Sequence, residues 1–348
     1  MAKRHLVFCR DINTPSGGRK MLYWLVDFLN SQGQNAYLIH QNPKFTSSWF
    51  EHKTRIACLF NYGLSHGFKD QMKQVLFNVR CFIKGVKPLT LNPESDILYF
   101  PETFLNQLDS PVYLSFNKWI VNQNAFFLLK QNFNVLQKLQ LSNDNKTGIL
   151  NFSKLNAEYS IHIFGNKLKQ IQISAFVDDI FISESKIPKE KKKQIVVMPR
   201  RGNIQLQGIK KMLQLSGVIE ANQWVEIENN SQEEVKQILS EALIFLTFSE
   251  FEGLGLPVAE AMCMECLVIG SPANGGEELF EFNLDFKINH GDWIQATQKI
   301  NEIFKQFDSN PHFFDSHTAQ NRAHILANYT KDSVEKNFKN HINQLNFL

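Results

Sequence analysis

Short apolar runs recur along the chain, separated by polar or glycine-bearing turns and by longer stretches with helical periodicity. Runs of this kind, without strict alternation, predict strands buried on both faces, and their alternation with helices predicts an α/β protein built on parallel sheets. In the first half they place strands at residues 5–10, 36–40, 55–60, 74–83, 96–100, 112–116, 146–150, 160–164 and 169–174, with helices at 21–29, 103–108 and 125–141. In the second half strands are expected at 194–198, 223–227, 242–248 and 267–270. Helices are expected there at 204–215, 232–240, from 258 onward, and at 293–307, 317–327 and 331–345. Between the two sets, Asp178 and Asp179 and the charged run 189–193 break the composition. The pattern therefore divides the chain into a first domain at 1–177, a linker at 178–193, a second domain at 194–328 and a terminal amphipathic helix at 329–348.

The most informative stretch is 241–280. A buried strand ending at Ser249 delivers an acidic, glycine-bearing loop into a helix N-terminus, the junction at which open α/β sheets bind ligands. Glu252 in the loop and Glu260 in the helix can both accept hydrogen bonds from the hydroxyls of a sugar or ribose. Upstream, Pro199-Arg200-Arg201-Gly202 ends another strand, and two guanidiniums there suit a bidentate clamp on a diphosphate. Downstream, residues 271–276 end in Gly275-Gly276, where successive backbone N–H groups are expected to cradle a phosphate. Glu278 either contacts the ligand or opens the next helix.

Weaker signals lie in the first half. Gly17-Gly18 follow the first strand but lack the G-x-G-x-x-G spacing, and no clear acidic residue ends the next strand, which argues against a dinucleotide-dependent dehydrogenase or epimerase. The pair leaves room for close backbone approach or makes a plain turn. Glu102, directly after a strand, is a candidate acceptor contact or a cap for the helix at 103–108. Gln123 and Asn124 follow another strand end and can hydrogen-bond a hydroxyl without acting as a base.

The 348 residues, 43% of them hydrophobic, suffice for two cores, and a net charge of +3 implies no nucleic-acid partner. No run approaches the roughly 20 apolar residues of a membrane span and Met1–Arg4 is no signal peptide, so a cytoplasmic protein is expected. Cys9, Cys58, Cys81, Cys263 and Cys266 read as reduced thiols, and the isolated C-x-x-C at 263–266 cannot close a zinc site by itself. The lysines of 189–193 read as solvated surface. Of the 30 phenylalanines most belong in cores, while exposed ones would rest against lipid or a lipid-linked acceptor.

The run Glu252-Gly253-Leu254-Gly255-Leu256-Pro257, followed by Glu260-Ala261-Met262 and by Gly275-Gly276-x-Glu278, resembles the donor-site signature of retaining, nucleotide-sugar-dependent glycosyltransferases of the GT-B fold, group 1. The resemblance implies two Rossmann-like domains, an acceptor domain and a nucleotide-sugar domain. It places the donor site in the cleft between them and packs the terminal helix back on the first. It implies catalytic roles for Glu252, Arg200 and Arg201, and donor binding by Gly17, Gly18, Gly253, Leu254, Gly255, Glu260, Gly275 and Gly276. Glu102, Gln123 and Asn124 become candidate acceptor or sugar contacts. The donor would be the substrate, with no further cofactor and no metal, since no Asp-x-Asp sits at a strand end. A glycan or lipid-linked acceptor in surface polysaccharide synthesis, with peripheral contact at the inner face of the membrane, is the expected setting. Two departures stand out. A lysine is expected five residues after the clamp arginine, where this chain has Gln205 or Leu206, and a histidine is expected where it has Gln123 and Asn124. Both favour the alternative of an inactive GT-B module that binds a nucleotide or glycan.

Overall fold

The computed structural model describes residues 3–59, 68–108, 110–142, 145–183, 187–188, 190–199 and 202–346, with side chains in 68–73 left aside. The chain divides into two compact units, Met1–Ile173 with Asn337–Leu348, and Ser174–Lys336.

The first unit runs β1 (Arg4–Phe8), α1 (Gly17–Ser31), β2 (Asn35–His40), β3 (Ile56–Cys58), α2 (Phe68–Ile83), β4 (Asp96–Pro101), β5 (Asn117–Asn122), α3 (Ala125–Leu129), α4 (Phe133–Leu141), β6 (Thr147–Asn151), α5 (Lys154–Phe164) and β7 (Lys169–Gln172). Among the described residues its seven strands lie in the order β3-β2-β1-β4-β5-β6-β7, all parallel. The strand order reverses between β1 and β4, which makes their carboxyl ends the topological switch point. Apolar side chains fill the sheet faces, with Phe8 stacked on Phe100 at 4.4 Å between centroids. The chain's last residues complete this core: Phe338 stacks on Phe28, and Trp119 Nε1 donates to the Leu345 carbonyl at 3.1 Å.

The second unit contains α6 (Asp179–Ile182), β8 (Lys192–Val197), α7 (Asn203–Leu215), β9 (Trp224–Glu226), α8 (Gln232–Glu241), β10 (Ala242–Phe248), α9 (Leu256–Cys263), β11 (Leu267–Ser271), α10 (Trp293–Ser309) and α11 (Asp315–Asn328). Its sheet order is β11-β10-β8-β9, again all parallel. α12 (Lys331–Lys339) crosses the division into the first unit and α13 (Ile342–Leu345) ends the described chain.

Several expectations need correcting. Residues 74–83 form helix, not strand: only Phe77 and Cys81, one turn apart, are buried among the side chains described there. Residues 160–164 are the end of α5, whose start is set by Ser153 accepting from Asn156 N at 3.1 Å. Residues 112–116 hold a short 3-10 turn led by Pro111, and the strand follows at Asn117–Asn122. The helix expected at 125–141 is two helices because Asn124 and Asn132 cap one each. The terminal helix at 331–345 likewise divides.

The stretch 178–193 is no bare linker. Asp178 caps α6, Val177 N donates to the Tyr329 carbonyl at 2.8 Å, and β8 already starts at Lys192. Lys191, expected in solvent, is enclosed: its ammonium donates to the carbonyls of Ser240 at 2.7 Å and Met264 at 2.6 Å. Those carbonyls close the C-terminal turns of α8 and α9, where helix dipoles favour a cation.

Candidate functional site

In the second unit β10 is buried along its length and hands the chain to the loop bearing Glu252. Gly255, at φ 86°, caps α9, and Pro257 sits in its first turn, where a missing N–H leaves no bond unmade. Within α9 every residue from Val258 to Cys263 is buried except the half-buried Glu260, a carboxylate on a helix otherwise given to the core.

Neighbouring loops close on this one. Glu252 forms a parallel bridge with Asn274. A methyl group at Gly275 would lie 2.0 Å from the Glu252 carbonyl oxygen, so only glycine lets the loops meet. A methyl at Gly202, which has φ 82°, would lie 1.9 Å from the Phe248 carbonyl oxygen, which seats the start of α7 against the end of β10. The loops following β8, β10 and β11 thus touch through backbone at the carboxyl ends of three adjacent strands.

The phosphate cradle expected at 271–276 is not what this loop builds. Ala273 and Asn274 take left-handed conformations, and the N–H groups of Gly275, Gly276 and Glu277 donate to Ala273, Pro272 and Asn274 inside the loop. Its glycines serve close packing instead. Leu254 is buried beside them, with Gly253 between it and Glu252. Glu278 lies in a short 3-10 helix and accepts from the Tyr329 hydroxyl at 3.2 Å.

Arg200 and Arg201 lie outside the described residues. Gln205, where a lysine was expected, is buried; its Nε2 meets His290 Nε2 at 2.9 Å and its Oε1 accepts from Gly291 N at 3.1 Å. Leu206 is core, and Lys210 pairs with Glu226 at 3.0 Å. None of these supplies the expected second cation. Cys263 and Cys266 are buried thiols, and Cys266 Sγ donates to the Leu239 carbonyl at 2.9 Å.

In the first unit the switch point gathers three residues singled out by sequence. Gln123 Nε2 donates to the Gly18 carbonyl at 2.7 Å, and a methyl at Gly18 would lie 2.5 Å from Gln123 Oε1. The room Gly18 leaves is therefore taken by Gln123. Gly17 is the first residue of α1, capped by Ser16. Glu102 Oε2 accepts from Gln123 N at 3.2 Å. Burial pushes the Glu102 carboxyl up to about 7, opposed by that hydrogen bond. At 3% exposure Glu102 has little surface to offer an acceptor, so its place is behind Gln123. Asn124 accepts from the N–H groups of Phe126 and Phe127, a helix cap.

A further cluster escaped the sequence. His40, fully buried at the end of β2, is bonded on both ring nitrogens, to Asp11 Oδ1 at 2.8 Å and to the Tyr23 hydroxyl at 3.1 Å. Asp11 also accepts from Gln41 N and Asn42 N, pinning the loop that leads to Gly17. A histidine closing an apolar strand was its only signal.

Two Rossmann-like units with this strand, loop and helix arrangement define the GT-B fold of glycosyltransferases, and solved structures agree. A glycosyltransferase from Rickettsia africae superposes with a TM-score of 0.70 at 12% identity, covering 99% of this chain and 98% of that one. Anabaena HepE in complex with UDP and glucose gives 0.70 at 13% identity, covering 98% of this chain and all of that one. Residues 210–313 match the model of the family of glycosyl transferases group 1. A curated relative, the alpha-1,6-glucosyltransferase of Actinobacillus pleuropneumoniae serotype 7, is 31% identical over 150 residues, 40% of this chain. The match spans about half, 46%, of that relative's length.

Proposed function

We propose that the chain is a retaining glycosyltransferase that moves a sugar from a nucleoside diphosphate sugar to an acceptor hydroxyl, on a glycan or lipid-linked acceptor of surface polysaccharide synthesis. The observation that carries this reading is the Glu252–Asn274 bridge with Gly275 packed on the Glu252 carbonyl, which sets a carboxylate loop beside the N-terminus of α9. Glu252 holds the hydroxyls of the donor sugar and Glu260 those of the ribose, as acceptors of hydrogen bonds. Gly253, Leu254 and Gly255 supply the backbone between them. Arg200 and Arg201 neutralise charge growing on the leaving diphosphate. The C1–O bond to the diphosphate breaks, the acceptor oxygen bonds to C1 on the same face, and the acceptor proton passes to a leaving phosphate oxygen. No protein base is then required, in keeping with an amide at Gln123. The name of the curated relative and the UDP and glucose held by HepE support a UDP-hexose as the first donor to try.

One observation favours a second reading, a GT-B module that binds a nucleotide without transfer: Gln205 stands buried among His290 and Gly291 where a lysine was expected. Release of nucleoside diphosphate from each donor separates the two. Turnover that falls about 10²–10³-fold in Glu252→Ala supports the transferase, since removing one group that stabilises the transition state has effects of that size. Binding without turnover in the wild type supports the module.

A further inference from the structure

Two cysteines distant in the chain meet in the first unit. Cys58 ends β3 and Cys81 lies in the last turn of α2, 23 positions on, yet their sulfurs are 3.8 Å apart. Both are buried, at 2% and 1% exposure, in a small cluster with Phe77 and Val86. The segment after α2 fixes both backbones: Val86 N donates to the Cys81 carbonyl at 2.9 Å and Leu89 N to the Cys58 carbonyl at 2.8 Å. The sulfurs of a disulfide stand about 2.0 Å apart, so bonding these two takes an approach of about 1.8 Å, which a small shift of α2 supplies.

Burial sets the order of events. It raises the Cys58 thiol above its ordinary range, and the thiol of Cys81 beside it adds to the shift, so Cys58 stays protonated in the closed structure. Among the described side chains of α2 only Phe77 and Cys81 are buried, and an element held by so few apolar contacts opens locally at low cost. We infer that Cys58 and Cys81 form a reversible disulfide site, oxidised by hydrogen peroxide and reduced by small thiols, which locks α2 onto the end of β3. The Cys81 thiolate, bared by local opening of α2, attacks one peroxide oxygen. The O–O bond breaks, the departing hydroxide takes up the proton Cys81 gave, and Cys81 is left as a sulfenic acid. On reclosure the Cys58 sulfur attacks that of Cys81, the S–O bond breaks, and hydroxide leaves with the Cys58 proton as water. Two thiols and one peroxide thus become one disulfide and two waters. Two small thiols reverse the change by exchange and depart as their own disulfide. This site stands apart from the transferase reading and is tested without it.

The test treats the folded full chain with hydrogen peroxide, stops the reaction with catalase, blocks the remaining thiols with N-ethylmaleimide in urea and maps the peptides by mass spectrometry. The expected result is a linked Cys58–Cys81 peptide pair, loss of two of the five thiols, and their return with dithiothreitol. Closing a ring of this size should raise the melting temperature of the oxidised protein by about 5 °C or more. Cys81→Ser should remove both the link and the rise, whereas Cys58→Ser should leave a sulfenic acid on Cys81 that dimedone traps. Peroxide that spares both thiols of the folded protein overturns the proposal. So does a link that joins other cysteines, such as Cys263 to Cys266, in place of this pair.

Discussion

Gly275 and the Glu252 carbonyl are so close that one added methyl group must push the two loops apart. Gly275→Ala is expected to lower stability by about 1–3 kcal/mol, the usual result of overpacking, and to weaken donor binding more than a remote substitution of equal ΔΔG. Chemical denaturation alongside donor titration checks both. Glu102 gives a pH-dependent expectation. Its carboxyl titrates near 7 in the fold against an ordinary 4.5, so the folded state holds the proton to higher pH. Its contribution is fully present below about 4.5 and is lost as pH rises through about 7, an upper bound of about 3 kcal/mol. Glu102→Gln should therefore flatten the fall of the melting temperature between these pH values and leave the variant the more stable one above them. Equal pH profiles for both proteins would show that this carboxyl titrates in the fold as it does in the unfolded chain.

At the level of elements, Lys191 joins the ends of two helices. Lys191→Met keeps the stem but leaves the Ser240 and Met264 carbonyls without their ammonium, an expected loss of about 1–3 kcal/mol in urea unfolding. This residue also shows what the sequence hides. In a run of lysines nothing distinguishes the one that folds inward. β10 was legible to its last residue, because an unbroken apolar run of strand length bounded by polar residues fits a buried parallel strand. The acidic glycine loop after it was legible for the same reason: its residues serve local backbone geometry. α2 and α5 were misread because short apolar runs look alike in strands and in helices, and only tertiary packing decides. Contacts between distant residues were beyond reach. Gln205 meets His290, Gln123 fills the space at Gly18, and His40 joins Asp11 to Tyr23; each pairs positions that local pattern cannot connect. Of the candidate site, the glutamates and glycines were singled out by spacing, while the close packing at Gly275 and Gly18 emerged only from the fold.

For the whole molecule, two parallel sheets with the GT-B order of elements reduce the question of function to whether the loops at β8, β10 and β11 bind a nucleotide sugar. A ligand present at a hundred times its Kd stabilises the native state by about 2.7 kcal/mol, so binding must register in unfolding as well as in direct titration. The decisive measurement is calorimetric titration of the full chain with UDP-, GDP-, ADP- and dTDP-sugars, repeated on Glu260→Ala and Arg200→Ala. The account predicts that one nucleotide class binds the wild type and that both substitutions weaken it by at least about tenfold, as removal of a hydrogen bond to a charged group does. Wild-type protein that binds none of these donors, or variants that bind as tightly as the wild type, would contradict it.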